Sequence, residues 1–400
     1  MKKIALNIFA IGMIGLSFTA CDDAKNDAID NMVYISEAAS GPSTEVILGK
    51  SGEKSTTVIN VRMGKKAVTD TKIQLILDSK VLEEYNRRND TEFAVIPSEY
   101  IEVPSEVTVE AGNSMVEVPV TITSFDGEKG VDYAAPIKIA SAQGETVSTG
   151  SSAYIVTFGK PLIQKAPKFY YDNAMKMAWE GTTELPNLTL EWWVRVVNPA
   201  GNGGFSTNNQ ALFAFQANYE LYIRFGDLTY GGNDGYPGKH EFLQIKTLGI
   251  DANYDSGDPK DESKKLPWGE WIHFAHTFDS ATGEVVLYKN GVEVCRSNGG
   301  SGKVFNITGV SMCSSGYRYF RDYIEFAQVR LWKTTRTAAQ IQKFMKKEVK
   351  YNDPNLVFYL PMNEGSGSIL HDVTGNGHDI EIGNNGGTKN VAYAWTEYEF

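Results

Sequence analysis

Pro267-Trp-Gly-Glu-Trp-Ile-His-Phe-Ala-His-Thr-Phe-Asp279, continued by Gly283-Glu-Val-Val-Leu-Tyr-Lys-Asn-Gly-Val-Glu-Val294, is the stretch that decides the fold of this 400-residue chain. Side chains alternate faces along a strand. Ile272, Phe274 and Phe278 therefore share one side, and His273, Ala275 and Thr277 the other. A turn at Ala281-Thr282-Gly283 leads to a second strand, which ends at Asn290-Gly291. Asn-Gly between apolar runs signals a tight hairpin, because a type I′ turn needs two residues with positive φ. Two hairpins in one run predict an antiparallel meander and an all-β domain.

At 400 residues the chain is too long for one small core, so two domains are expected. Net charge is -11, which argues against nucleic acid, whose phosphates demand clustered Lys and Arg. Gly (38) far exceeds Pro (14), and 20 Tyr, 19 Phe and 7 Trp fit many turns between aromatic-rich strands.

The chain opens Met1-Lys-Lys, then an apolar run Ile4–Phe18 too short to span a bilayer comfortably. It closes on Phe18-Thr-Ala-Cys21, which resembles a bacterial lipoprotein cleavage box. Residues 1–20 then read as a signal peptide, Cys21 as the acylated mature N-terminus, and 21–31 as an acidic tether. Asp22, Asp23, Asp27 and Asp30 resemble the acidic tract of lipoproteins sent to the outer face of the outer membrane. Lipid is the only membrane attachment this reading needs.

Residues 32–160 carry about seven short strands broken by Gly, Pro, Asn, Asp and Ser, the pattern of an immunoglobulin-like sandwich. Ser79–Asn86 interrupts them with helical spacing of Val81, Leu82 and Tyr85, and with Ser79 as cap. Leu77-Asp-Ser-Lys-Val-Leu-Glu-Glu-Tyr-Asn-Arg-Arg-Asn89, Ile96-Pro-Ser-Glu-Tyr100 and Val107–Gly112 resemble an N-terminal domain of unknown function. That domain precedes lectin-like or glycosidase modules in surface lipoproteins of glycan-degrading bacteria. The resemblance implies a spacer, not a catalyst.

Residues 166–400 form the second unit. Leu188, Leu190, Trp192, Val194 and Val196 alternate strictly with Thr189, Glu191, Trp193 and Arg195. Tyr323–Trp332 alternates likewise, and a helix capped by Thr337 follows. Leu188–Arg195, Trp271–Asp279, Leu287–Gly291, Ile324–Trp332 with Arg336, Leu360–Gly367 and Asp372–His378, in that order, resemble the laminin-G-like, concanavalin A-like jelly roll. The resemblance implies two facing antiparallel sheets and carbohydrate recognition.

Catalysis has no support in the motifs. Glycosidases need an acid and a second carboxylate flanking one glycosidic bond. Neither Glu-x-Asp-x-x-Glu nor Asp-x-x-Asp-x-Asp-x-Glu occurs, and Glu325 is the nearest strand carboxylate in the matching region. The five His are too dispersed for zinc, and His273 and His276 face opposite ways. A structural calcium would draw on Asp372, Asn376 and Asp379 with Asp172, since it requires oxygen ligands. The preferred alternative is a tight turn whose Asp and Asn bond their own backbone. Cys295 and Cys313 could form a disulfide or remain two small buried thiols.

Sugar binding remains. Lectins stack aromatic rings on pyranose faces and bind hydroxyls with Asp, Asn and Arg. The Gly-rich loop holding Tyr230, Asn233, Asp234 and Tyr236 fits best, followed by Tyr254, Trp268 and Tyr317-Arg318-Tyr319. The expectation is a non-catalytic surface lipoprotein that binds polysaccharide or oligosaccharide beside outer-membrane glycan-uptake proteins. The alternatives are an adhesin or scaffold that binds protein, and a divergent glycoside hydrolase.

Overall fold

A computed structural model describes residues 31–89, 91–226, 240–250, 254–258 and 261–400. Residues 1–30, with Cys21, and the loop carrying Tyr230, Asn233, Asp234 and Tyr236 lie outside them.

The architecture is all-β, and two sandwiches follow one another along the chain. In the first, one sheet runs in the order Thr146–Val147, Met32–Ile35, Lys54–Met63, Met115–Thr123, Ile101–Glu102. The other runs Ser43–Ile47, Ala153–Gly159, Tyr133–Ala142, Thr71–Leu77, Glu106–Val109. Alternation makes the core: Ile59, Val61 and Met63 of one sheet pack with Ile73, Leu75, Ile137 and Val156 of the other. The helix spans Ser79–Asn89, but its cap is Asp78, whose Oδ1 accepts from the Lys80 amide at 3.0 Å. Ser79 is the first helical residue instead, since the Asp78 carboxylate already supplies the acceptor.

The second sandwich has two eight-stranded sheets. The first is ordered Val292–Asn298, Glu284–Lys289, Ile272–Asp279, Asn187–Val197, Tyr323–Trp332, Ile163–Phe169, Ala394–Glu399, with Leu356–Leu360 also on Tyr323–Trp332. The second is ordered Leu243–Thr247, Leu221–Phe225, Gln210–Ala217, Phe305–Met312, Met175–Met177, Ile380–Glu381, Ile369–Leu370, with Thr183–Leu185 on Phe305–Met312. The strand pairs of this unit are antiparallel. The meander forms as the alternation predicts, and Asn290 and Gly291 take φ of 50° and 75°, the turn Asn-Gly is suited to. Ile272, Phe274 and Phe278 join Trp192, Phe213 and Phe326 in one continuous core.

The outer face of the first sheet is also largely covered. Thr337 caps the helix Ala338–Phe344, and the segment after it lies over the sheet, where Trp193 Nε1 donates to the Met345 carbonyl at 2.7 Å. Phe400 packs on Trp193 and Trp271.

The two sandwiches meet where Glu92 and residues 129–132 face residues 347–350. Lys129 pairs with Glu348, Lys347 with Asp132 and Lys350 with Glu92. Gly130, at φ 72°, lets the backbones touch: a Cβ there would sit 2.0 Å from the Lys350 nitrogen.

Candidate ligand-binding site

At one end of the second sandwich, three stretches far apart in sequence place five tyrosines together. Tyr170 and Tyr171 follow the strand Ile163–Phe169, Tyr317 and Tyr323 flank the start of Tyr323–Trp332, and Tyr393 precedes Ala394–Glu399. The strand order makes them neighbours, since Ile163–Phe169 lies between the other two strands. Tyr171 meets Tyr317 edge-on at 4.8 Å between ring centres, and Tyr170 meets Tyr171 at 4.8 Å. Tyr323 lies 5.2 Å from both Tyr170 and Tyr393. Edge and tilted contacts of this kind hold rings in place. Tyr317 is 54% exposed and Tyr393 36%.

Charged groups frame the rings. The Arg321 guanidinium lies 4.3 Å from the Tyr317 ring centre and Lys389 Nζ 3.8 Å from that of Tyr393. The Tyr393 hydroxyl donates to Asp172 Oδ2 at 2.7 Å. Desolvation first, then this carboxylate, pushes the Tyr393 phenol up, so it remains a donor. Asp172 Oδ1 is covered, with no hydrogen bond among the described residues.

The loops behind the platform are pinned by Asp322. Its buried carboxylate accepts from the Ser206 amide at 2.7 Å and from Gln210 Nε2 at 2.6 Å, while Gln210 Oε1 accepts from the Arg321 and Asp322 amides. Thr207 Oγ1 donates to the Tyr319 carbonyl. These bonds fix the segment that carries Tyr317, Arg318 and Arg321.

Of the sequence-predicted residues, Tyr317 belongs to this platform, Arg318 is exposed beside it, and Tyr319 is half-buried under the Arg318 guanidinium. Trp268 is 49% exposed and stands at the same end, across the strand Asn187–Val197: the Gly269 amide donates to the Val196 carbonyl, and Val197 is in register with Tyr323. Gly226 and His240, the flanks of the Tyr230–Tyr236 loop, adjoin Asn208 at this end. Tyr254 is not a surface residue. It is 2% exposed, and its hydroxyl lies 2.7 Å from His276 Nδ1 in the core. An apolar ring in a polar loop is drawn inward once a buried partner exists for its hydroxyl.

The calcium candidates do not gather. Asp372 Oδ1 accepts from the Tyr359 and Thr374 amides, and Oδ2 from the His378 amide. Asp379 Oδ1 accepts from the Asp372 amide, and Asn376 Nδ2 donates to the Leu356 and Val357 carbonyls. Asp172 is engaged elsewhere, by Tyr393. The oxygens are those of a turn, and no three His, Cys, Asp or Glu side chains are grouped for a metal among the described residues. Cys295 and Cys313 form no disulfide. Cys295 sits on the edge strand Val292–Asn298 of one sheet, while Cys313 directly follows the strand Phe305–Met312 of the other, fully buried in the core.

The strand carboxylates are internal. Glu191 is buried against Arg336 at 3.2 Å, and Glu325 against Arg195, Lys168 and Tyr398. His273, 3.6 Å from Glu191, is pushed down to about 3 by burial and then by Arg330 and Arg336, so it is a neutral ring. On the outer face of the second sheet, Arg224 donates to Gln244 and Asn209, and Tyr222 to Asn209. Polar groups there bond to one another, whereas the tyrosine end exposes Tyr317 and Tyr393.

The match to known families divides along the chain. Residues 29–146 match the model of a family of N-terminal domains, and residues 178–342 that of the concanavalin A-like lectin/glucanases superfamily. No curated protein matches the sequence. A Bacteroides ovatus structure, provisionally described as a carbohydrate binding protein, superposes with a TM-score of 0.64 at 16% identity, over 92% of this chain and 98% of its own. EndoBT-3987 of Bacteroides thetaiotamicron, with a Man5GlcNAc product, aligns at 23% identity over 32% of this chain and 30% of its own, TM-score 0.28. A heptameric SAP-like pentraxin of Limulus polyphemus aligns at 14% identity over 45% and 79%, TM-score 0.31. Scores as low as these last two establish no common fold. The second sandwich thus has the concanavalin A-like fold, with residues 178–342 matching the lectin/glucanases superfamily model, and it is preceded by a sandwich that matches a family model of its own.

Proposed function

We propose that this chain is a non-catalytic glycan-binding lipoprotein, held at the outer face of the outer membrane by lipid on Cys21, serving a polysaccharide-utilisation system. The observation that carries the reading is the platform of Tyr170, Tyr171, Tyr317, Tyr323 and Tyr393, a cluster of rings on a lectin-type fold with Tyr317 and Tyr393 exposed. Stacking a sugar ring there gains apolar contact, and the fixed loops lose little entropy on binding. The Bacteroides ovatus structure described as carbohydrate binding, similar over most of the chain, supports it. Burial of Glu191 and Glu325 in ion pairs supports binding without hydrolysis, because an acid pair must reach the glycosidic bond. Glycan-uptake proteins of the outer membrane would be its neighbours.

The experiment is retardation on a panel of polysaccharide gels, with reducing-end release measured in parallel. Retention by at least one polymer without release is expected. Retention by none, or release of reducing ends, would overturn the reading. The anchor is checked separately: fatty-acid labelling should vanish in Cys21→Ser.

A further inference from the structure

We propose that the tyrosine platform takes an acidic saccharide, one bearing carboxylate or sulfate groups. This rests on the reading of the platform as a glycan site and specifies its ligand class. Four cations stand at or beside the rings. Lys168 Nζ lies 5.6 Å from the Tyr323 ring centre, Arg321 and Lys389 lie over Tyr317 and Tyr393, and Arg318 lies over Tyr319, next to Tyr317. Lys168 is 3.7 Å from Glu325. The side chains of Arg318, Arg321 and Lys389 have no hydrogen bond or ion pair among the described residues; each lies against a tyrosine ring.

Among the described residues, the carboxylates beside the rings are engaged. Asp322 is fully buried under Ser206 and Gln210, and Glu325 is buried on Arg195 and Tyr398. Asp172 has one oxygen tied to Tyr393 and the other covered. The end of a chain with net charge -11 therefore presents cations and rings together. A neutral sugar needs hydroxyl acceptors such as Asp and Asn beside the ring. An anionic sugar needs donors of positive charge, and a guanidinium meets carboxylate or sulfate with paired N–H groups.

The test compares retention on polygalacturonate, dextran sulfate, dextran and mannan gels, with poly-glutamate as a polyanion without sugar. Retention about tenfold stronger on one acidic polymer than on the neutral ones is expected, falling severalfold in Arg321→Ala and in Lys389→Gln. The preference should shrink when salt rises from about 0.05 M to about 0.5 M. Polygalacturonate against dextran sulfate separates the two anion sources. Equal retention on neutral and acidic polymers, no effect of either cation variant, or equal retention on poly-glutamate would overturn this proposal and leave glycan binding standing. Retention on none of the sugar polymers would instead remove the reading beneath it.

Discussion

The hydroxyl of Tyr254 lies 2.7 Å from Nδ1 of His276, and both side chains are sealed inside the second sandwich. Tyr254→Phe removes that partner and leaves a buried ring nitrogen unsatisfied. A loss of about 1–3 kcal/mol in denaturant unfolding is expected, with polysaccharide retention unchanged. A variant that kept its stability and lost retention would return Tyr254 to the binding surface.

Burial holds both His273 and His276 at about 3, against an ordinary 6.5. The unfolded chain then binds more protons than the folded one between those values. Stability is complete about one pH unit above 6.5 and falls as pH drops through that value, by up to about 1.4 kcal/mol per pH unit for each histidine. Urea unfolding at pH 7.5, 6.5 and 5.5 should show a small fall followed by a larger one. A flat profile across all three would contradict the buried neutral state.

Tyr317 is half in solvent, so its ring can be removed at little structural cost. Tyr317→Ala should abolish retention on the polymer that binds, with a melting temperature within a few degrees of the parent. Retention that survives this change together with Tyr393→Ala would show that the sugar binds elsewhere.

Alkylation of the unfolded protein should label Cys295 and Cys313 equally with and without prior reductant. In the folded protein Cys313 should stay unlabelled, because burial both covers the thiol and pushes its pKa up. A reductant-dependent gain of two thiols would reveal a bond between them.

At the joint between the sandwiches, geometry should outweigh charge. Gly130→Ala places a Cβ against the Lys350 backbone at a φ of 72°, and a loss above about 1 kcal/mol is expected. Lys350→Ala removes a mostly exposed ion pair with Glu92 and should change stability by less than about 1 kcal/mol. Thermal melts of the two variants give the comparison, and a larger effect for the lysine would reverse the assignment.

Much of the fold was legible because period-two alternation is strong where one sheet face is buried. Leu188–Val196 and Ile272–Phe278 display it, and both became central strands. The strand Ala394–Glu399 was hidden because its exposed edge position allows Thr396, Glu397 and Glu399 where a core strand would need apolar residues. The platform was harder still. Tyr170, Tyr171, Tyr323 and Tyr393 look ordinary in their own segments, and only strand order brings residues more than two hundred positions apart into ring contact. Tyr317 was visible through its Gly- and Ser-flanked loop. Tyr254 misled, because polar neighbours said nothing of the imidazole waiting inside.

The strand Ile163–Phe169 pairs with Ala394–Glu399 from Ile163 opposite Glu399 to Lys168 opposite Ala394. The domain is therefore zipped shut by its own two ends. While the ribosome is still making residues 170–393, the first of these strands waits with most of its ladder unpaired, and the sheet cannot close until the last strand emerges. The same adjacency makes the unit a candidate for circular permutation: a short linker between residues 400 and 163, with new ends opened at the exposed Ala281–Thr282 turn, would preserve each strand pair described above.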